Sequence, residues 1–306
     1  MFKTPRDLLK AYKDGFIGSY CDHKDLDKLL GELPHPLFGA VAHDLYESGK
    51  GKLALPFKNL LKFDPGFGPA ERQVVGDCVS HSTRNAVDVT RSCEIINGER
   101  EEFVARGATE GIYGSRGHGG EGMTCSGAAR FVNQKGGLLI RKKYGDIDLS
   151  SYQGRLASGW GRRGVPEELV KAAQKHQVKT VSLVNTVEEA RDAIANGYAI
   201  SVCSGAGFSS RRDQYGIASR KGGWSHAMAW VGMDDTHEIY NETLFLVQNS
   251  WGMWNSGPKR HDQPDGSFWI RERDAASMLS GNGSWVFSDV DGFPPRKVVW
   301  TLDKVF

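Results

Sequence analysis

The chain is poor in cysteine. Its 306 residues carry five, Cys21, Cys78, Cys93, Cys125 and Cys203, widely spaced and odd in number. Small secreted domains held by bridges carry more cysteines at closer spacing. The count points to free, mostly buried thiols in a reducing compartment, with room for one bridge. No paired metal-ligand spacing appears. An excess of either charge is also missing: the net charge of +2 gives no argument for nucleic acid or for an acidic membrane. No apolar run is long enough to span a bilayer, and residues Met1 to Asp7 lack the basic-then-apolar pattern of a secretion signal. Internal repeats and low-complexity tracts are absent. What remains is the composition of a soluble globular protein, 39% apolar and 25% charged. Its expected place is the cytoplasm or a larger intracellular or virion assembly.

Two regions differ in pattern. Residues 1–68 read as an N-terminal helical extension, with helices expected over 5–15, 23–31 and 37–48. Leu8, Leu9 and Tyr12, then Leu26, Leu29 and Leu30, recur at helical spacing. The turn-rich run Phe63 to Pro69 marks a boundary. The extension is a docking element for a partner, a cover or a removable pro-segment. Residues 69–306 follow as the main domain. A helix is expected from Cys78, capped by Asp77, with Val79, Ala86, Val87, Val89 and Cys93 buried and Asn97-Gly98 as its end. The glycine-rich run Gly111 to Gly120 is no phosphate loop, since no Gly-Lys-Ser/Thr ends it and no strand is expected before it. A short helix over 128–134, capped by Thr124 or Ser126, comes next. Residues 145–164 read as a surface excursion, including the Arg162-Arg163 pair.

Further on, a helix follows Pro166, and Thr186 to Glu189 form a capping box opening another. Strands are expected over 178–183, 198–203, 227–233, 244–249 and 266–271, and Asp234 to Glu238 read as a hairpin tip. Helices first and strands later argue for an α+β fold, with a cleft between a helical lobe and a sheet lobe.

A cysteine at a helix N-terminus faces unpaired N–H groups and a partial positive charge, both of which favour the thiolate. A nucleophilic thiol needs a base, and the base needs a group to orient its ring. His226 begins one expected strand and Asn249 ends the next. If the two strands pair antiparallel, both residues come to the same end of the sheet, and Trp251 shields their hydrogen bond from water.

Gly76-Asp77-Cys78 opening a helix, Ser225-His226-Ala227 before a strand, and Asn249-Ser250-Trp251-Gly252 after the next resemble the papain-like cysteine peptidases. The resemblance runs from about Gln73 to Arg271 and keeps the family's Cys, His, Asn order. It implies a two-lobed α+β fold and a thiol protease hydrolysing peptide or protein substrates through an acyl-enzyme, with no metal or organic cofactor. Cys78 would be the nucleophile, His226 its base and later acid, Asn249 the orienter and Gln73 an oxyanion donor beside the Cys78 N–H. Gly119 and Gly120 would pair with substrate backbone, and Ala227 and Met123 would line an apolar specificity pocket.

The departures lie around the nucleophile. Papain relatives carry Cys-Gly-Ser/Ala-Cys-Trp/Tyr, where this chain has Val75-Gly76-Asp77-Cys78-Val79. The first cysteine and its bridge are missing. Gln73 is one position closer to Cys78 than in the family. Asp77 sets a negative charge beside the thiol unless it turns away as a cap. His226 lies inside the window of roughly 130–150 residues after the cysteine, and Asn249 beyond it. His81, one helical turn after Cys78, and His118 in the glycine loop are further residues that can face the cleft. The alternative is a papain-fold structural or binding protein without activity, for example part of a virus particle.

Overall fold

The structure, a computed structural model, describes residues 19–20, 23–67, 71–99 and 105–298. The helix expected over 5–15, Cys21 and the boundary residues Gly68 and Pro69 lie outside the described residues.

The fold is built on the helix Cys78–Ile96, in which every residue from Cys78 to Glu94 is buried. The expected apolar face is only part of what it buries. Its charged residues are buried too, so each needs a partner. Arg84 bonds to Glu71 at 3.1 Å and to the carbonyl of Gly107 at 3.1 Å. Asp88 accepts from the Gly107 N–H. Arg91 pairs with Asp289, and Glu94 accepts from Arg296 at 3.0 Å. Ion pairs thus tie the helix to both lobes.

On one side lies an antiparallel sheet. Its strands run in the order Ser267–Arg271, Leu244–Gln248, Ala218–Asp234, Ile200–Arg212, Ser284–Ser288 and Thr180–Leu183, and Leu53–Ala54 also pairs with the far end of Ala218–Asp234. Strand periodicity of two divides the side chains between two cores. Leu244 and Leu246 pack toward the Cys78 helix, whereas Phe245 and Val247 pack into the sheet lobe. The long hairpin Ile200–Arg212 and Ala218–Asp234 curls until the Trp269 N–H donates to the Gly216 carbonyl at 3.0 Å. That contact curls the sheet toward a barrel. The helices Val187–Ala195 and Glu272–Leu279 cover its inner core, and the Thr186 capping box forms as expected.

The described part of the N-terminal stretch is packed into these same cores. Helix His23–Glu32 buries Leu26 and Leu29, and Phe57 and Leu60 of helix Phe57–Phe63 join the same cluster. The helix expected over 37–48 is instead two short pieces, Phe38–Val41 and His43–Leu45, whose apolar side chains join the sheet-lobe core. A two-residue strand, Ser19–Tyr20, pairs parallel with Met123–Thr124 and lies against the Ala218–Asp234 strand.

Three local expectations need correction. Residues 154–163 form a helix, Gly154–Arg163, rather than part of a surface excursion; Trp160 is buried beneath it, and Arg162 and Arg163 close its last turn. The glycine-rich run is preceded by a short strand, Gly107–Ala108, and its first residues belong to the helix Glu110–Gly114. Helix Cys125–Arg130 starts three residues earlier than expected, because Thr124 caps it by accepting from Gly127 at 2.9 Å.

The expectation of free thiols fails at one pair. Cys125 and Cys203 are joined in a disulfide, with Cα atoms 6.3 Å apart, inside bridging range. Their separation of 78 residues gives no cue in the sequence. The Thr124 cap fixes Cys125, and the cross-strand register sets Cys203 opposite Ala227. The bridge therefore clasps the helical lobe to the sheet lobe, and cysteine count no longer argues for a reducing compartment. Among the described residues no helix is long and apolar enough to cross a membrane. Cys203→Ser should lower the unfolding free energy by about 3–4 kcal/mol, as expected for a long closed loop. Urea denaturation measures this, and an unchanged midpoint would argue against the bridge.

Candidate active site

The segment before Cys78 is fixed by several independent contacts. The Gln73 N–H donates to the Ser250 carbonyl at 2.9 Å. The Gly76 N–H donates to Glu121 Oε2 at 2.7 Å, and Tyr113 Oη donates to the same oxygen at 2.6 Å. Gly76 is needed here: a Cβ would come within 2.8 Å of Glu121 Oε2 and 3.0 Å of the Gly122 nitrogen. This short contact brings the glycine-rich loop against the turn that ends in Cys78.

Asp77 occupies the N-cap position, but its side chain makes no cap hydrogen bond. Its backbone, φ −107° and ψ 26°, is not the extended conformation in which a cap side chain reaches back to the helix N–H groups. Instead Tyr152 Oη donates to Asp77 Oδ2 at 2.7 Å, and His81 Nε2 stands 3.5 Å from that oxygen. The expected cap is thus replaced by a side-chain cluster. His81 is buried within it, its ring packed edge-on against Tyr152.

His226 lies inside its strand rather than at its start, because the strand begins at Ala218. The antiparallel pairing with Leu244–Gln248 places Ala229 opposite Gln248. Asn249, the next residue, reaches the imidazole: His226 Nε2 and Asn249 Oδ1 are 2.8 Å apart. Since Oδ1 accepts, Nε2 carries the proton and Nδ1 is left as the basic atom. Nδ1 is buried and has no hydrogen-bond partner among the described residues, the Cys78 sulfur included. Trp251 lies over the imidazole with ring centres 4.5 Å apart. Trp224 and Trp254 pack around Trp251 at 4.7 and 5.5 Å. This indole cluster shields the His226–Asn249 bond from water. Trp224 and Trp254 were not singled out in the sequence, where their nearness to His226 and Asn249 was the only signal.

Cys78 and His226 are both fully buried. The backbone N–H of Ala227, the residue after His226, faces the Cys78 sulfur. Burial pushes the Cys78 thiol up to about 12, a rise that the Asp77 carboxylate reinforces and the Ala227 and Val79 N–H groups oppose. Burial also lowers His226 to about 4, against the opposing effect of its hydrogen bond to Asn249. Burial thus favours the neutral thiol and the neutral imidazole.

Gln73 is buried against the residue that follows Asn249. Its Nε2 donates to the Val75 carbonyl at 3.0 Å, and its Oε1 accepts from Ser250 Oγ. Ser250 is a contact that motif reasoning missed. Gly119 and Gly120 are exposed on the loop, with the Arg162 guanidinium close to Gly119 and the His118 ring close to Gly120. Met123 and Ala227 are buried in the core that also holds Cys78, and Ser80 Oγ donates to Met123 Sδ at 3.5 Å. At the hairpin tip Asp234 pairs with Arg260 and Thr236, and Asp235 with Thr243.

The architecture matches solved structures closely in extent and weakly in sequence. Xylellain, a cysteine protease from Xylella fastidiosa, aligns over 91% of this chain and 97% of its own, with a TM-score of 0.52 and 18% identity. Procathepsin B S9 from Trypanosoma congolense aligns over 90% of this chain and 87% of its own, with a TM-score of 0.50 and 11% identity. No family model and no curated protein matches the sequence. The chain therefore has the papain-like fold of cysteine proteases, an α+β arrangement of helices packed on an antiparallel sheet.

The buried His226 gives the site a pH signature. Its folded value is depressed from 6.5 to about 4, so the unfolded chain takes up the proton first. This contribution is present above pH 6.5 and is lost as the pH falls toward 4. It is worth roughly 3 kcal/mol in all. Denaturant titrations across that window should show a shallower loss for His226→Gln; identical slopes would contradict the assignment.

Proposed function

We propose that the protein is a cysteine peptidase that hydrolyses peptide bonds through Cys78, His226 and Asn249. The observation that carries this reading is the bond from His226 to Asn249 beneath Trp251, on the strand that packs against the helix begun by Cys78. His226 Nδ1 takes the Cys78 proton, and the sulfur attacks the carbonyl carbon of the scissile bond. The oxyanion forms near the Cys78 N–H at the helix N-terminus, with the Gln73 amide as second donor once its Nε2 leaves the Val75 carbonyl. His226 then gives its proton to the departing amine, leaving an acyl-thioester. Water activated by His226 hydrolyses the thioester and restores the thiol. Asn249 holds the ring in one tautomer throughout. Gly119 and Gly120 offer open backbone to an extended peptide, and Met123 and Ala227 select an apolar side chain. The chemistry needs no metal or organic cofactor.

The neutral, buried state of Cys78 and His226 requires an opening step. In this reading the strand Ser19–Tyr20, paired with Met123–Thr124 beside the specificity residue Met123, acts as a cover over the substrate groove. Admitting water and substrate reverses the desolvation that holds the thiol up and the imidazole down. The same burial favours a second reading, a papain-fold binding or structural protein whose thiol never ionises, with the N-terminal stretch as the part that docks to a partner.

A peptide-library digest separates the two. The full chain is compared with a chain starting at Asp22, since a start near Phe63 would remove Leu29, Phe57 and Leu60 from the core. The peptidase reading expects cleavage with an apolar preference, at least tenfold faster in the shorter chain and abolished by Cys78→Ala. Equal residual cleavage with and without Cys78 would overturn it in favour of the binding protein.

A further inference from the structure

Asp77 is an unfavourable neighbour for a nucleophilic thiol. Its carboxylate sits one residue before Cys78, is fully buried, and acts against the thiolate. Three groups around it argue that its charge is managed. Tyr152 Oη donates to Oδ2 at 2.7 Å and also accepts from the Val74 N–H at 3.2 Å. His81 Nε2 stands 3.5 Å from the same oxygen, at charge-pair distance, and makes no hydrogen bond among the described residues. On the other side of the ring, His81 Nδ1 faces the Arg84 guanidinium at 3.4 Å. A guanidinium only donates, so Nδ1 must accept and the ring proton belongs on Nε2, facing Asp77. Arg84 is itself held by Glu71 at 3.1 Å and lies 3.9 Å from Asp88. A chain of alternating partners thus runs from Glu71 through Arg84 and His81 to Asp77 and Tyr152. Other ionisable groups face this cluster. Glu110 accepts from the Gln153 N–H and pairs with Arg141, which also pairs with Glu71. Tyr113 and Glu121 border the Gly76 turn, with Arg116 over the Tyr113 ring. His81 also lies near enough to His226 to act on its proton affinity, in the lowering direction.

We infer that Tyr152 and His81 are positioning residues that hold the Asp77 carboxylate, draw its charge away from Cys78 and so set how readily the thiol ionises. Tyr152 donates to Oδ2 and His81 stands nearest the same oxygen, while Oδ1 has no hydrogen-bond partner among the described residues. Setting both groups on one oxygen fixes the direction in which the carboxylate charge is compensated. The inference rests on Cys78 being the nucleophile, but its readout does not require peptide cleavage.

The test is the pH dependence of Cys78 alkylation by iodoacetamide in the full chain, located by peptide mass. Tyr152→Phe removes a single oxygen and should raise the pH of half-maximal reaction by about one unit. Asp77→Asn is nearly isosteric and should lower it by a similar amount. In the Asp77→Asn background, Tyr152→Phe should have no further effect, because the charge it acts on is gone. His81→Phe should behave like Tyr152→Phe, and His81→Gln, which keeps a donor, should recover part of the change. A profile that stays put in both Asp77→Asn and Tyr152→Phe would overturn the inference. So would additive effects in the double variant, which are the mark of a purely structural role. If these shifts appear while His226→Ala leaves the profile untouched, the Asp77 cluster stands and the Cys78–His226 pairing falls.

Discussion

Burial of the Cys78 helix on every side sets the terms for the rest of the fold. A helix buried between two lobes cannot leave a charge unpaired, since an isolated buried ion costs several kcal/mol. Arg84, Asp88, Arg91 and Glu94 therefore reach out to Glu71, Gly107, Asp289 and Arg296, which come from elements scattered along the chain. These bonds fix the rotation and depth of the helix. They therefore fix where its first residue, Cys78, meets the sheet. The Cys125–Cys203 bridge adds a covalent clasp beside the same meeting line.

The sheet supplies the second half of the site through register. A strand pair that sets Ala229 opposite Gln248 brings Asn249 to His226 without any loop having to adopt a special shape. Sliding one strand by a single residue would turn these side chains to the opposite face. The alternating cores on the two faces of the sheet, with Leu244 and Leu246 on one and Phe245 and Val247 on the other, prevent that slip. Core packing and site geometry are in this sense one constraint.

Much of this was legible in the sequence where a residue type and its local position carry the same message. The helix from Cys78, the Thr186 capping box and the strand ending near Asn249 each have local signals. The parts that were not legible depend on distant contacts. Asp77 has the residue type of a cap, yet Tyr152, from a loop far along the chain, takes its carboxylate. Cys125 and Cys203 carry no spacing signal, because their approach is set by a helix cap and a strand register. In the sequence only the apolar run from Ala227 marks the strand that His226 opens, but the long hairpin runs on through Gly222 and Gly223 with irregular register and sets His226 inside it. The helix Gly154–Arg163 was hidden by its glycines, which intrinsic propensity disfavours and burial of Trp160 tolerates.

The central claim is that Cys78 is a thiol activated by His226. It is tested most directly by intact-mass and peptide-mass analysis after reaction with a substrate-like peptidyl electrophile, using the chain from Asp22 onward. The account predicts a single adduct on Cys78, formed quickly at neutral pH and at least a hundredfold more slowly in His226→Ala. Labelling of Cys78 no faster than Cys93, or at an equal rate in His226→Ala, would contradict it.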